Sequence, residues 1–266
     1  MPHPFLAALH PTIHVSHRGG AGLAPENTLA AFRKAVSYRT DMIELDLQVT
    51  ADGVLVVSHD DTLERCTDAE GPIDQRTFAS LANVDAGHRF TLDGGQTFPF
   101  RGQGVRIPSF AEVLAAFPGL RFNADMKSNA DGVEDLLAAA VRKADAVSRV
   151  CVGAEDDALA LRILAALPEA IHFYPRDAGI HAVLRLKSGA KLPPDDPFRV
   201  MDLPLHHEGR RVVDFALCEA ARSQGRWINV WTVDDPNEMR RLKGDGAGGI
   251  MTDRPDLLRQ VLDAEV

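Results

Sequence analysis

Short β-rich runs alternate with helix-like segments along nearly the whole chain, and this alternation limits the possible folds more than any other feature of the sequence. The strand candidates are Ile13–His17, Met42–Val49, Leu120–Met126, Arg149–Gly153, Ala170–Tyr174, Arg199–Leu203, Trp227–Val233 and Gly249–Thr252. Between them, Asn27–Tyr38, Ser109–Phe117, Gly132–Ala146, Asp156–Ala166, Gly179–Lys187, Val212–Gln224, Pro236–Lys243 and Arg254–Asp263 carry apolar residues at helical spacing. Strand–helix alternation calls for a parallel sheet, and eight such units are the number that closes a barrel. The length of 266 residues suits one such barrel better than two small domains. The expected fold is therefore α/β, a (β/α)8 TIM barrel forming a single domain over residues 1–266. An open doubly wound sheet is the rival, but no Gly-x-Gly-x-x-Gly turn follows an early strand.

Two stretches break the rhythm. After the turn at Ala51–Asp52–Gly53, the run VLVVSHD reads as a hairpin partner of the second strand. A long polar segment follows, and residues 60–106 are too many for a plain βα loop, so they form an insertion with some structure of its own. The second irregular stretch is KLPPDDP at 191–197. Helix punctuation is clear at two places: Asn27 follows Pro25 as an expected N-cap, and Asp235–Pro236 opens the seventh helix.

Composition excludes several function classes. The chain is 45% hydrophobic and 25% charged, as an ordinary globular protein is. A net charge of −9 without any basic block argues against a nucleic-acid partner. Cys66, Cys151 and Cys218 are odd in number and far apart, which gives neither a disulfide framework nor a zinc site and points to a reducing compartment. The N-terminal segment has no basic stretch followed by a long apolar one, and no run approaches the roughly 18 apolar residues of a membrane span. The expectation is a cytoplasmic protein with no membrane anchor.

In a barrel of this kind, chemistry gathers at the C-terminal ends of the strands. The first strand ends in His17–Arg18–Gly19–Gly20. The second carries Glu44 and Asp46 on one face, and the third carries Asn123, Asp125 and Lys127 on one face. The seventh presents Asn229 and Trp231, and the loop after the hairpin carries His59–Asp60–Asp61. Glu44 and Asp46 alone suit salt bridges equally well. Together with Asp125 they would repel strongly unless a cation lay among them, and oxygen-only ligation selects Mg²⁺ or Ca²⁺ over zinc. His17 and His59 suit acid–base work on a phosphate ester, with Arg18 and Lys127 binding phosphate oxygens or balancing the carboxylates. Trp231 is either core or a cover for a polyol. His14 falls on the strand face opposite His17, His10 adds little to a cluster, and His206–His207 either line the mouth or are solvated.

These residues fall into a pattern. SHRGGAGLAPENTLAAF, IELDLQVTADGVLVVSHDDTLERCT, IPSFAEVLAAFP, NADMK, VWTVDD and GIMTDRPDLL resemble the glycerophosphodiester phosphodiesterases over nearly the whole chain. The resemblance implies a barrel with a small inserted subdomain, a divalent metal, and hydrolysis of a small glycerophosphodiester to an alcohol and glycerol 3-phosphate. It assigns catalysis to His17 and His59, and metal binding to Glu44 and Asp46. Arg18 takes the place of a phosphate-binding arginine, Lys127 and Trp231 of further active-site groups, and Glu26 and Asn27 of residues that position the first loop. Two departures stand out: Asp125 replaces the usual Glu, one methylene longer, and Gly248–Gly249 stands where Asp-Gly is usual. The rival readings are a lysophospholipase D or sphingomyelinase D-like enzyme, for which the segment TFPFRGQG at 97–104 is the apolar candidate, and a barrel that binds a phosphodiester without cleaving it.

Overall fold

The computed structural model describes residues 4–7 and 12–264, so His3 and His10 lie outside the described residues. The chain runs from the short helix α1 (Pro4–Ala7) into β1 (Ile13–Ser16) and α2 (Leu29–Ser37). β2 (Met42–Val49) is followed by its antiparallel partner β3 (Leu55–Val57), an irregular stretch with 3₁₀ turns at Ile73–Gln75 and Phe78–Asn83, and α3 (Phe110–Ala116). Three regular units come next: β4 (Arg121–Met126) with α4 (Val133–Lys143), β5 (Val150–Gly153) with α5 (Asp157–Ala166), and β6 (Ile171–His172) with α6 (Arg176–Lys187). β7 (Val200–Pro204) passes through a small hairpin, β8 (His206–His207) and β9 (Arg210–Arg211), to α7 (Phe215–Ser223). β10 (Trp227–Trp231) with α8 (Pro236–Asp245) and β11 (Gly249–Thr252) with α9 (Pro255–Asp263) complete the chain.

The strands lie in the order β6-β5-β4-β2-β1-β11-β10-β7, with every neighbouring pair parallel. The seam is closed lightly. Phe173 pairs with Val200, the Tyr174 amide donates to Val200 O at 2.8 Å, and the Arg199 amide donates to His172 O at 3.0 Å. The expected eight-stranded barrel is therefore present, and the open sheet is excluded.

Strand periodicity divides the residues between the barrel's interior and its helical coat. Inward, Ile13, Val15, Met42, Cys151, Ile171, Phe173, Val200 and Met251 form an apolar floor that Phe5 of α1 joins. Outward, Ile43, Leu45, Leu47, Phe122 and Ala124 pack against helix residues such as Phe32 and Val113. Met201, Ile228, Val230 and Ile250 do the same with Leu217, Met239 and Leu258. His14 faces this coat, fully buried, with a pKa lowered to about 3, chiefly by burial and then by Arg259. It is a neutral core histidine, as its position opposite His17 implied.

Above the apolar floor the inward positions turn polar. Asn123 Nδ2 and Asn229 Nδ2 donate to the two oxygens of Asp202 at 2.6 and 2.8 Å, and Trp227 Nε1 donates to Asn229 Oδ1 at 2.9 Å. Burial raises the Asp202 pKa against these donors. The sequence reading did not single out Asp202, because one Asp in the strand MDLP carries no pattern until β7 is set opposite β4.

Local chemistry accounts for the helix boundaries. Ser109 and Glu112 form a reciprocal capping box on α3, and the side chains of Asp156, Asp214 and Asp235 cap α5, α7 and α8. The N-cap of α2 is Thr28 rather than Asn27. Its hydroxyl accepts from the Ala31 amide, while Asn27 sits at φ 57° with its side chain turned to Asp46. The first strand also ends one residue early, because His17–Gly19 forms a 3₁₀ turn. In the segment 60–106, Leu63, Ile73, Leu81, Val84 and Ala86 form a small cluster with Val56 of β3 and Ile107.

The double glycine at the start of β11 has a packing explanation. A Cβ on Gly248 would lie 2.6 Å from Trp227 Cε2, and one on Gly249 would lie 2.2 Å from Asn229 Oδ1 and 3.0 Å from Val15 Cγ2. Asn229 cannot retreat without breaking its bonds to Asp202 and Trp227. Gly249→Ala is therefore expected to lower stability by about 1–3 kcal/mol, the usual cost of overpacking. Gly119→Ala, with nothing within 4 Å of the added atom, is the control and should leave the thermal midpoint nearly unchanged. Equal midpoints for the two variants would contradict this account.

Candidate active site

The site is built where β1, β2, β4 and β11 end. Arg18 adopts a left-handed conformation, φ 50° and ψ 28°, which costs a non-glycine residue roughly 1 kcal/mol. The turn points the Arg18 amide at Glu44 Oε2, 2.8 Å away. It also places His17 between two carboxylates: Nδ1 lies 2.7 Å from Asp253 Oδ1 and Nε2 lies 3.9 Å from Glu44 Oε2. Burial opposes the charged ring, but the Asp253 hydrogen bond and the charge of Glu44 outweigh it, so the His17 pKa is raised. Asp253 lies in the GIMTDRPDLL motif, yet the sequence reading assigned it no role. The available signal was its inward register, two residues beyond Met251.

Glu44 and Asp46 point inward from β2, 7% and 1% exposed. Burial, then the neighbouring Asp46 charge, pushes Glu44 up to about 8. Asp46 is braced by Asn27 Nδ2 at 2.9 Å, Arg18 Nε at 3.4 Å and Lys127 Nζ at 3.3 Å. Just beyond β4, Lys127 places its Nζ 2.5 Å from Asp125 Oδ2 as well. Burial still pushes Asp125 up to about 6 despite that ammonium, while the carboxylates raise Lys127.

Whether these groups suit a metal ion can be judged from the same atoms. Among the described residues, no three His, Cys, Asp or Glu side chains already stand in an arrangement that holds one. The physical reason is Lys127, whose ammonium lies between Asp46 and Asp125 and supplies the positive charge they need. The donor chemistry nevertheless fits a hard divalent ion. All the donors are carboxylate oxygens, Asp125 Oδ1 is buried without a hydrogen-bond partner, and Glu44 is under-compensated.

The hairpin brings in the second histidine. His59 Nδ1 lies 2.7 Å from Asp60 Oδ1, and Arg65 ties Asp60 to Glu26, which also holds Arg18. Burial pushes Glu26 up, but the hydrogen bond from Arg65 and the charges of both arginines prevail and hold it at about 2. Glu26 is thus a strut between the β1 turn and the hairpin loop, consistent with a positioning part.

A cavity of about 800 Å³ joins these groups. His17, Arg18, Glu44, Asp46, His59, Asp125, Lys127 and Trp231 all line it. Of the loop pair, His207 lines the cavity and His206 does not. The apolar candidate at 97–104 does not border it; the apolar lining includes residues of α6 and β7 with Phe173, Val212 and Met251. No described helix is long and apolar enough to cross a membrane.

Comparison with known proteins agrees with this geometry. The glycerophosphoryl diester phosphodiesterase family matches residues 17–257. A glycerophosphodiester phosphodiesterase of Caldanaerobacter subterraneus subsp. tengcongensis is 31% identical over 257 residues, covering 93% of this chain and 96% of that protein. Human lysophospholipase D GDPD1 is 29% identical over 277 residues, covering 94% and 85%. The crystal structure of a glycerophosphoryl diester phosphodiesterase domain from Mycobacterium tuberculosis shares the fold at a TM-score of 0.84 and 23% identity, covering 94% of this chain and 99% of that one. The barrel, the site residues it gathers and the match across the chain have one reading: the chain belongs to the glycerophosphoryl diester phosphodiesterase family.

Proposed function

We propose that this chain hydrolyses glycerophosphodiesters to an alcohol and glycerol 3-phosphate, with His17 and His59 dividing the proton transfers and a divalent cation, Mg²⁺ or Ca²⁺, held by Glu44, Asp46 and Asp125. The observation that carries the reading is that both histidines line one cavity and each is held through Nδ1 by its own carboxylate, Asp253 or Asp60. That leaves Nε2 of each ring for the substrate, and a carboxylate partner stabilises the imidazolium formed when the ring takes a proton. One ring accepts the proton of the attacking hydroxyl, which belongs either to water or to the substrate. The other returns a proton to the departing alkoxide.

Arg18 and Lys127 bring positive charge to the non-bridging phosphate oxygens, and Trp231, 42% exposed, covers the polyol. When bound, the cation would polarise the phosphate and stabilise its developing charge. Two carboxylate-held histidines at one cavity are more than a barrel needs for binding alone, which weighs against the non-catalytic alternative. Residues 1–266 act in this reading as one catalytic unit, to which the segment 60–106 contributes Arg65. Three free cysteines, two of them buried, support a reducing, cytoplasmic setting.

Assay of glycerophosphocholine hydrolysis tests the reading. His17→Ala and His59→Ala should each lower kcat by about 10²–10⁴-fold with an unchanged circular dichroism spectrum. A loss of less than tenfold would remove that histidine from the chemistry. Chelation should abolish activity, with Mg²⁺ or Ca²⁺ restoring it, and Asp46→Asn should require more metal than the wild type for half-maximal rate. Full activity in excess chelator would refute the cation.

The raised Glu44 also has a consequence for stability without metal. A carboxyl whose pKa moves from 4.5 unfolded to about 8 folded binds more protons in the native state between those values. Stability is therefore lost as pH rises through that window, and the raised His17 acts with the same sign. The thermal midpoint of chelated protein should fall between pH 6 and pH 8.5, and Glu44→Gln should flatten the slope. An unchanged slope would mean that Glu44 is already ionised.

A further inference from the structure

His17 and His59 each bond through Nδ1 to a carboxylate, but the two carboxylates are held in different ways. Asp60 has a guanidinium of its own, because Arg65 donates to Asp60 Oδ2 and continues to Glu26. Asp253 ion-pairs with His17 and, among the described residues, with no arginine or lysine. It is also the first residue beyond β11, where the strand ladder no longer fixes the chain. The aim of its carboxylate therefore depends on how its backbone is held.

Two bonds hold that backbone. The Asp253 carbonyl accepts from the Gly22 amide at 3.0 Å, which ties it to the turn after β1. The Asp253 amide donates to Asp234 Oδ1 at 2.9 Å, and the Thr252 hydroxyl donates to the same oxygen at 2.8 Å. That hydroxyl in turn accepts from the Arg254 amide at 3.0 Å. One carboxylate oxygen in the loop after β10 thus gathers the end of β11 and the two residues that follow. Hydrogen bonds to an ionised acceptor are among the stronger ones. The neighbours of Asp234 have other tasks: the Val233 amide donates to Met251 O at 3.0 Å, and Asp235 caps α8. Asp234 is exposed, so packing does not explain its place. His17 lines the cavity, whereas Asp253 and Asp234 stand behind it.

We propose that Asp234 is a positioning residue for the hydrolysis: its Oδ1 fixes the Asp253 backbone so that the Asp253 carboxylate meets His17 Nδ1 at 2.7 Å and leaves Nε2 for the substrate. The assignment rests on the hydrolytic reading above and extends one of its two histidines into a chain of three, Asp234, Asp253 and His17. Asp234 touches neither substrate nor His17 and acts through Asp253. A ring that transfers a proton must be placed closely, since a misplacement of about 1 Å costs on the order of 10²-fold in rate.

The test is choline release from glycerophosphocholine by the wild type, Asp234→Ala, Asp234→Asn, Asp253→Ala and the double variant Asp234→Ala/Asp253→Ala. Asp234→Ala should lower kcat about 10–100-fold and leave KM within about twofold. Asp234→Asn keeps an oxygen that accepts both bonds and should recover most of the rate. In the Asp253→Ala background, Asp234→Ala should cost no more than about twofold further, because the group that it aims is gone. If Asp234→Ala does not fold, Thr252→Val removes one of the two bonds to the same oxygen and takes its place in the cycle. A loss that adds in full to that of Asp253→Ala would leave Asp234 a part of the fold alone and overturn the assignment. So would wild-type kcat in Asp234→Ala, a loss confined to KM, or an asparagine variant as slow as the alanine one. In each of those cases an active wild type keeps the hydrolytic reading standing. A wild type that releases no choline overturns that reading, and the assignment with it.

Discussion

Two carboxylates two residues apart on the inward face of one strand set the terms for everything around them. Glu44 and Asp46 are withdrawn from water, and neither can shed its charge onto solvent. Buried like charges are costly unless cations or donors answer them. Arg18 answers through its backbone amide and its guanidinium, Lys127 through its ammonium, and Asn27 through its amide. Both Arg18 and Asn27 sit in left-handed backbone to do so. Such an arrangement is weak evidence for stability, since apolar replacements would pack at lower cost. It makes sense as a place where charge is handled.

The barrel interior is graded along its axis. At the N-terminal end Phe5 and the inward aliphatic residues close the floor. Above it, the Asn123–Asp202–Asn229 network satisfies a buried carboxylate from both sides. At the mouth, Glu44 and Asp125 remain under-compensated, and burial pushes both pKa values up. A carboxylate answered by two amide donors below, against Asp125 Oδ1 without a hydrogen-bond partner above, fits packing at one end of the barrel and chemistry at the other. The glycines at 248 and 249 serve the lower part of this gradient, since they admit Trp227 and Asn229.

The overall charge of −9 does not decide what the cavity accepts. Arg18 and Lys127 bring positive charge to its mouth, and Glu26 couples Arg18 to Arg65 across the gap between the first turn and the hairpin. The same cavity changes character toward α6, where the polar lining gives way to aliphatic side chains.

The sequence by itself determined the barrel, its eight units and most of the polar residues at the mouth, because period-2 and period-3.6 patterns are local and survive without coordinates. It also determined the inward face shared by Glu44 and Asp46, and the opposite, structural face of His14. What only the tertiary structure decided is who pairs with whom. His17 meets Asp253 across 236 residues, Asn123 meets Asp202 across 79, and both contacts depend on strand order and closure. The same holds for Lys127, whose ammonium reaches both Asp46 and Asp125, and for the apolar side chains that α6 turns toward the cavity. Pairing and exposure depend on which faces the closed barrel turns toward one another, and no window of local sequence contains that information.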